Sequence, residues 1–229
     1  MVIKELGDLY SKFGKRVPWH VDWEITYRCQ NKCKHCYLMH KDKDIKLELD
    51  TRIVHRTLDE LKQLGTVEIG FTGGDPFLYQ GFFDVLSHAS KNNFNIIIFT
   101  SGVGISQHDI KSLLQHNIVK MEFTFFGDNE KTHDAFTSND GSFNRMLETV
   151  SLLHERGIHC IAKMIITSQN KNQVQNLKHR MENMGVSFSF DPHIWRPYHG
   201  TEDDIKNYRI SSEDMLKYYQ WQHINYVSN

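Results

Sequence analysis

The sequence has little net charge and no long apolar run, and its first residues predict no secretion signal. Lys and Arg number 27 against 28 Asp and Glu, so the formal net charge is −1 at pH 7. Such a balance gives no electrostatic reason to expect nucleic acid or an anionic membrane as a partner. No stretch approaches the ~20 apolar residues of a membrane span. Residues 1–19 carry charges throughout and lack the apolar core of a signal peptide. We therefore expect a cytoplasmic protein.

Cysteine is also scarce, and its distribution is uneven. The chain has four cysteines in 229 residues. Three of them lie between positions 29 and 36, whereas Cys160 is remote from the others. In a reducing compartment such a cluster indicates metal ligation rather than disulfides. The length suffices for one sizeable core, so we divide the chain into an N-terminal extension, residues 1–20, and one core domain, residues 21–229.

Six predicted strands alternate with six predicted helices along the chain. The strands cover residues 21–27, 67–71, 95–100, 120–125, 158–166 and 186–190, and the helices cover residues 50–64, 81–91, 106–116, 142–156, 171–184 and 211–221. Regular alternation predicts an α/β fold of parallel strands joined by right-handed crossovers. Six units are too few for a closed eight-stranded barrel. The pattern therefore fits either an open partial (β/α)6 barrel or a doubly wound sheet.

The three clustered cysteines form the pattern C-x3-C-x2-C at Cys29, Cys33 and Cys36. The pattern directly follows the first predicted strand, on the face where α/β barrels carry their active sites. A cubane cluster has four irons and usually takes four thiolates, so three thiolates leave one iron open to a small-molecule ligand. A zinc ion would instead need a fourth protein ligand, which His35 or His40 can supply. Zinc loops more often contain two C-x2-C pairs, and this sequence has no second pair.

A glycine-rich turn, Thr72-Gly73-Gly74-Asp75-Pro76, follows the second predicted strand. Two adjacent glycines allow the backbone to approach a ligand closely. The exposed backbone groups and the Asp75 carboxylate can then receive an ammonium group. Because Gly, Asp and Pro all favour turns, an ordinary turn is the alternative interpretation.

Together the two motifs resemble the signature of the radical S-adenosylmethionine (SAM) superfamily, in which a three-cysteine loop and a Gly-Gly-Glu-Pro motif end successive strands. The resemblance covers residues 21–221 and implies a partial (β/α)6 barrel with outer helices. It implies a [4Fe–4S] cluster on the three cysteines, with SAM chelated to the open iron and cleaved to a 5′-deoxyadenosyl radical. It also implies that residues 73–76 hold the methionine amino group, with Asp75 standing where glutamate is commoner.

Other cofactor contacts are implied by weaker matches to the family. Thr100 and Ser101 resemble a Thr-Asn-Gly turn near the cofactor's sugar and methionine, with a helix-capping turn as the alternative. Thr124 keeps a hydroxyl that would bind ribose. Lys163 can supply the charge for the cofactor carboxylate, with a solvated lysine at a strand edge as the alternative. His35 occupies a position that is often aromatic and near the adenine, where its ring either stacks or faces solvent.

The sequence also departs from the family's pattern. Phe126 replaces the usual aspartate after the fourth strand, and Thr137 replaces an arginine that helps to hold the cofactor carboxylate. Ile165 and Ile166 either wall the adenine or belong to the core. Cys160 should pack in the core against a helix, because strand alternation places it opposite the face that carries Ile165.

The chain further resembles the core domain of SPASM-type peptide- and protein-modifying maturases. The features that carry this resemblance are His133-Asp134, a Gly-Ser-Phe helix start at residues 141–143 and the loop at residues 191–200. The resemblance implies a peptide or protein substrate and an external electron donor of the flavodoxin or ferredoxin type. Hydrogen abstraction would lead to a cross-link, a thioether, an epimerised residue or an oxidised one. No cysteine follows Cys160, so we expect no C-terminal domain for auxiliary clusters within these 229 residues. Either the sequence is truncated or this member works with one cluster.

Three other functions are compatible with the same residues. The first is a radical SAM enzyme that acts on a small molecule, since its core motifs would be identical. The second is a non-catalytic protein with a structural zinc loop. The third is a truncated remnant that binds a cluster, cleaves SAM slowly and modifies nothing. Iron rather than zinc content separates the zinc protein from the others. The sequence alone identifies no individual catalytic residue.

Overall fold

The computed structural model describes residues 17–38, 48–198 and 200–227, with side chains described as far as residue 221. Within these ranges six strands form one sheet: β1 (His20–Thr26), β2 (Glu68–Gly73), β3 (Asn95–Thr100), β4 (Ile118–Phe125), β5 (Cys160–Ile165) and β6 (Ser187–Asp191). The same ranges contain seven α-helices: α1 (Thr51–Gln63), α2 (Phe82–Lys91), α3 (Gln107–Leu113), α4 (Glu130–Thr137), α5 (Ser142–Glu155), α6 (Val174–Asn183) and α7 (Ser212–Val227). None of the described helices is long and apolar enough to cross a membrane. Most of the predicted N-terminal extension and His40 lie outside the described residues.

The strands lie side by side in sequence order, and every neighbouring pair is parallel. A doubly wound sheet reverses its strand order at one point, and this sheet does not. Right-handed crossovers that each advance by one strand place the helices on one face, which leaves the other face concave. The predicted partial (β/α)6 barrel is therefore confirmed, and the doubly wound alternative is wrong.

The main apolar core lies between the sheet and the helices, as β5 shows. Cys160, Ala162 and Met164 are buried in it, whereas the residues between them are only half-buried. Lys163 and Ile165 face the concave side, where they line a cavity. Burial raises the pKa of the Cys160 thiol to about 12, so the thiol stays protonated at neutral pH. Cys160 thus occupies the core, as its position in the strand predicted.

Local sequence signals explain where several elements begin. The Asp50 side chain caps α1 by accepting a hydrogen bond from the backbone N–H of Arg52. Ser106 and Asp109 form a reciprocal capping box at the start of α3. The run of isoleucines at residues 96–98 is buried throughout, as expected for a central parallel strand.

The sequence did not predict α4. This helix has eight residues, and His133, Asp134 and Thr137 within it are buried although they are polar. A helix whose buried face is polar lacks the apolar stripe by which an amphipathic helix is recognised. The starts of two strands also differ from the prediction: β4 begins two residues earlier and β5 two residues later than predicted. These ends depend on pairing with a neighbouring strand, which the sequence of one strand does not encode.

Candidate active site

A cavity of about 350 Å³ opens at the carboxyl ends of the strands. Its walls come from the loop after β1, the turns after β2 and β3, and inward-facing side chains of β4, β5 and β6. Most of the predicted site residues line it, namely Cys29, Cys33, His35, Cys36, Gly73, Gly74, Thr100, Ser101, Thr124 and Lys163. Two predicted site residues, Asp75 and Pro76, are buried beneath the turn instead.

The three cysteines of the loop at residues 29–36, called the cysteine loop below, are half-buried and line one wall of this cavity. Among the described residues, no three His, Cys, Asp or Glu side chains converge closely enough to hold a single metal ion. Three thiolates on one wall match the protein ligand set of a cubane cluster that leaves one iron open. The ring of His35, proposed as a zinc ligand, packs instead against Phe126 at 4.8 Å between ring centroids.

The cysteine loop is held in place by the C-terminal end of α4. The backbone N–H of Lys32 donates to the carbonyl of Thr137 at 2.8 Å, and that of Lys34 donates to the carbonyl of Phe136 at 3.1 Å. The last carbonyls of a helix have no partner within the helix. The loop supplies partners for two of them, so the unpredicted helix α4 is what fixes the backbone around Cys33.

Gly73 and Gly74 are packed against the chain that leads into the cysteine loop. The N–H of Gly74 donates to the carbonyl of Thr26 at 2.7 Å, and the N–H of Asp75 donates to the carbonyl of Arg28 at 2.8 Å. A Cβ on Gly73 would lie 2.2 Å from the Thr26 oxygen, and one on Gly74 would lie 2.1 Å from the Arg28 oxygen. Gly73 also has a φ of +118°, which favours glycine. Both glycines are therefore needed to join the two motifs into one site.

Asp75 lies beneath the turn after β3 and has no solvent exposure. Its carboxylate accepts hydrogen bonds from Thr100 Oγ1 at 3.0 Å, from Ser101 Oγ at 2.6 Å and from the backbone N–H groups of Ser101 and Phe77. Burial raises the pKa of Asp75, and these donors offset part of that rise. The sequence suggested direct contact with an ammonium group, and the structure differs because the carboxylate is enclosed by the protein. Asp75 orders the Thr100–Ser101 turn instead.

If the cavity binds SAM, as the resemblance implies, Asp75→Ala should weaken that binding by about tenfold. We also expect it to lower the free energy of unfolding by about 1–3 kcal/mol, because it leaves several buried donors without an acceptor. Equilibrium dialysis with labelled SAM and urea denaturation measure the two effects. Asp109→Ala is the matched control, since it removes an exposed capping carboxylate and should leave SAM affinity unchanged. Unchanged affinity in Asp75→Ala would show that the residue serves only its local turn.

Thr124 and Lys163 lie side by side on the concave face, because they are partners in the register of β4 and β5. The Lys163 Nζ atom is 3.8 Å from Asp191 Oδ2 at the end of β6. β5 is an internal strand of the sheet, and the partly exposed Lys163 side chain points from it into the cavity. A hydroxyl and an ammonium next to each other suit a ligand that carries both a sugar and a carboxylate.

An aromatic cluster occupies the positions where the sequence departs from the family. The ring of Phe126 stacks on Phe136 at 4.6 Å, and the edge of His35 meets Phe126. Burial lowers the pKa of His35 to about 4, so its ring is neutral at pH 7. Thr137 is buried, and its hydroxyl lies 2.8 Å from Ser142 Oγ. The usual aspartate and arginine are thus replaced by an apolar wall and a neutral hydroxyl pair.

His133 and Asp134 have structural positions outside the cavity. His133 Nδ1 accepts a hydrogen bond from the backbone N–H of Phe126, and burial lowers its pKa to about 4. Asp134 accepts from the N–H groups of Gly141 at 2.6 Å and Phe143 at 2.9 Å. Burial alone would raise the pKa of Asp134, but these bonds at the start of α5 lower it. The pair therefore fixes the backbone around α4, which in turn holds the cysteine loop.

Several cavity residues were not singled out by the sequence. Tyr37, Phe99 and Glu122 line the cavity. Trp195, from the loop at residues 191–200 that the sequence did mark, lines it as well. For Phe99 and Glu122 the signal in the sequence is that residues alternating with buried ones in a strand face the opposite side. The same rule separates the two isoleucines considered earlier: Ile165 lines the cavity, whereas residue 166 belongs to the core.

Comparison with known proteins gives a family match and several relatives. The family described as "Radical SAM superfamily" matches residues 23–181. The "Antilisterial bacteriocin subtilosin biosynthesis protein AlbA" of Bacillus subtilis (strain 168) is 25% identical over 213 residues, which are 91% of this chain and 46% of AlbA. The "Fe-coproporphyrin III synthase" of Methanosarcina barkeri is 27% identical over 176 residues, which are 72% of this chain and 44% of that protein.

The fold is also similar to solved structures. The crystal structure of Streptococcus suis SuiB bound to S-adenosylmethionine superposes with a TM-score of 0.78 at 16% identity, covering 96% of this chain and 50% of SuiB. The crystal structure of SuiB bound to its precursor peptide SuiA gives a TM-score of 0.77 at 16% identity, covering 96% of this chain and 49% of SuiB. The chain spans about half the length of the relatives it matches.

Proposed function

The chain belongs to the radical SAM superfamily, and from that premise we propose that it removes a hydrogen atom from a peptide or protein substrate. The cofactors of the family are a [4Fe–4S] cluster and SAM, which when bound supply a 5′-deoxyadenosyl radical. The observation that carries the proposal is that Cys29, Cys33 and Cys36 line one cavity together with the turns after β2 and β3. An external one-electron donor of the flavodoxin or ferredoxin type would reduce the cluster.

The residues of the cavity fit these cofactors. The three thiolates would hold three irons and leave the fourth iron for SAM. The Gly73–Gly74 backbone and the turn ordered by Asp75 would position the methionine part. The Thr124 hydroxyl and the Lys163 ammonium would bind ribose and carboxylate. The ring of Phe126, with its aromatic neighbours, would exclude water from this wall and lower the local dielectric constant.

A peptide substrate is supported by two of the relatives. AlbA is by name a biosynthesis protein for the bacteriocin subtilosin, and SuiB has been crystallised with a precursor peptide. A cross-link, a thioether, an epimerised residue or an oxidised residue are the products we propose for this chain. All of them begin with removal of one hydrogen atom from carbon.

A small-molecule substrate is the second candidate, because a relative of 27% identity is by name a coproporphyrin synthase. The structure gives an argument against an anionic tetrapyrrole. Asp22 and Glu24 of β1 line a cavity that adjoins the first one. Carboxylates repel the acidic side chains of such a macrocycle, so they favour a neutral or cationic substrate.

The proposal is tested by purifying the wild-type protein without oxygen and reconstituting it with iron and sulfide. We expect about four irons per chain, broad cluster absorbance and release of 5′-deoxyadenosine after addition of SAM and dithionite. A reaction without dithionite is the control. Addition of a mixed-sequence peptide pool should raise the rate of 5′-deoxyadenosine formation, whereas addition of coproporphyrin III should not. Bound zinc with no cluster and no cleavage would contradict the proposed chemistry.

A further inference from the structure

A second cavity, of about 790 Å³, adjoins the cofactor cavity on the concave face. We call it the outer lobe; it is lined by Asp22, Trp23, Glu24, Tyr37, Thr72, Phe99, Trp195, Arg196 and Tyr198. Tyr37, Thr72 and Phe99 line both cavities, so the two spaces meet there. A group bound in the outer lobe therefore lies next to the space assigned to the cofactor.

Two carboxylates project into the outer lobe from β1. Asp22 and Glu24 are two positions apart in one strand, so they share its concave face. Asp22 Oδ1 lies 2.8 Å from His20 Nε2. The same oxygen fills the space over Gly70, because a Cβ on Gly70 would lie only 2.0 Å from it. Glycine at position 70 thus leaves room for the Asp22 carboxylate. The floor of the lobe is built around an acidic group.

Of the two carboxylates, Glu24 is the one without a basic partner among the residues that the structure describes. It accepts a hydrogen bond from the Tyr37 hydroxyl at 2.9 Å. No ion pair of Glu24 occurs among the described residues, whereas Asp22 is paired with His20. Arg196 also lines the lobe but is exposed, and within the described part of the chain it pairs with neither carboxylate. A half-buried carboxylate whose described side-chain partners are the neutral hydroxyls of Tyr37 and Tyr27 favours a cation as its ligand.

Aromatic rings surround the entrance of the outer lobe. Trp195 is 71% exposed and Tyr198 is 64% exposed, although large aromatic side chains usually bury more of their surface. The Tyr198 ring meets the Tyr37 ring at 5.4 Å, and the Tyr198 N–H donates to the Tyr37 carbonyl at 2.8 Å. Ring faces beside a carboxylate are the arrangement that recognises organic cations.

We propose that the outer lobe binds a cationic side chain of the substrate, a lysine ammonium or an arginine guanidinium, through Glu24 and the rings of Trp195 and Tyr198. The proposal rests on the proposed function, because it names the kind of residue that a peptide substrate presents beside the cofactor. Asp22 adds negative potential at the floor of the lobe. An acidic substrate group is disfavoured by the same two carboxylates.

The test uses the full chain with its cluster reconstituted and SAM bound. The probes are N-acetyl-lysine amide, N-acetyl-norleucine amide and N-acetyl-glutamate amide, whose affinities are measured by saturation-transfer NMR titration. Norleucine has the lysine stem without the ammonium group. We expect the lysine probe to bind about tenfold more tightly than the norleucine probe and the glutamate probe to bind most weakly. Equal affinity of the wild-type protein for the lysine and norleucine probes would overturn the proposal, so this test needs no variant.

Glu24→Gln should remove most of the preference for lysine over norleucine. Glu60→Gln, the same substitution on the outer helix α1, is the control and should keep that preference. A folded Glu24→Gln protein with an undiminished preference contradicts the assignment of Glu24.

Release of 5′-deoxyadenosine is measured on the same wild-type preparation. Cleavage without a lysine preference overturns only the substrate subsite, whereas a lysine preference without cleavage supports the subsite and overturns the proposed function.

Discussion

Replacement of Cys33 by alanine is expected to abolish both cluster absorbance and 5′-deoxyadenosine formation. Cys33 is the middle thiol of the cysteine loop and lines the cavity with the other two. A chain that supplies three thiolates has none in reserve, so loss of one leaves a cubane with only two protein ligands. We expect the rate of SAM cleavage to fall at least about a hundredfold, to the background of the assay. Iron analysis and chromatographic detection of 5′-deoxyadenosine measure the two losses.

The matched control is Cys160→Ala, which removes the cysteine outside the loop. Cys160 is 1% exposed and lies in the core on the opposite face of β5 from Lys163. Its thiol is held protonated by burial, because burial raises its pKa to about 12. The control should keep its iron and its cleavage activity and lose only the modest stability of a small side chain. Normal activity of Cys33→Ala would mean that the cysteine loop does not hold the cluster.

The site residues that belong to short sequence motifs could be predicted from the sequence. Cys29, Cys33 and Cys36 follow one strand, and Gly73 and Gly74 end the next. Carboxyl ends of neighbouring parallel strands meet at one edge of a sheet, so strand order alone brings these motifs together. The structure adds the register that makes the approach close enough for direct hydrogen bonds between the two segments.

The purpose of individual residues was harder to predict, because it depends on contacts between distant segments. Asp75 was expected to face the cofactor, yet it is bound by Thr100 and Ser101, which lie about 25 residues later. His133 and Asp134 were noticed as a family feature, but their role in holding α4 requires knowledge of that helix. No local pattern marks either arrangement, since each is set by tertiary packing.

The outer lobe illustrates the same limit for substrate recognition. Glu24 and Tyr37 are 13 residues apart, and Trp195 belongs to the far end of the chain. Glu24 is a polar residue in an edge strand, and polar residues of edge strands usually face solvent. Only the curvature of the partial barrel turns that face of β1 into a cavity wall. The proposed substrate preference therefore depends on contacts between elements that are distant in the sequence.

Gly74→Ala is expected to remove SAM binding and to destabilise the fold, even though it adds a single methyl group. The new Cβ would lie 2.1 Å from the Arg28 carbonyl oxygen and 2.7 Å from that of Tyr27, and both are backbone atoms that cannot rotate away. Relief requires the lead-in to the cysteine loop to separate from the turn, which breaks the hydrogen bond from the Asp75 N–H to Arg28. We expect the free energy of unfolding of the cluster-free protein to fall by about 2–4 kcal/mol.

Urea denaturation of the cluster-free chain measures the stability of Gly74→Ala, and equilibrium dialysis of the reconstituted protein measures its affinity for SAM. Gly157→Ala is the matched control, because Gly157 has a φ of +86° but no neighbouring atom within 4 Å of the added Cβ. In the control, alanine at a positive φ should lower the free energy of unfolding by only about 1 kcal/mol, and the variant should bind SAM normally. If Gly74→Ala were no less stable than Gly157→Ala and bound SAM equally well, the close packing of the two motifs could not be what shapes the site. A loss confined to Gly74→Ala would instead show that these backbone contacts couple the cluster loop to the cofactor turn.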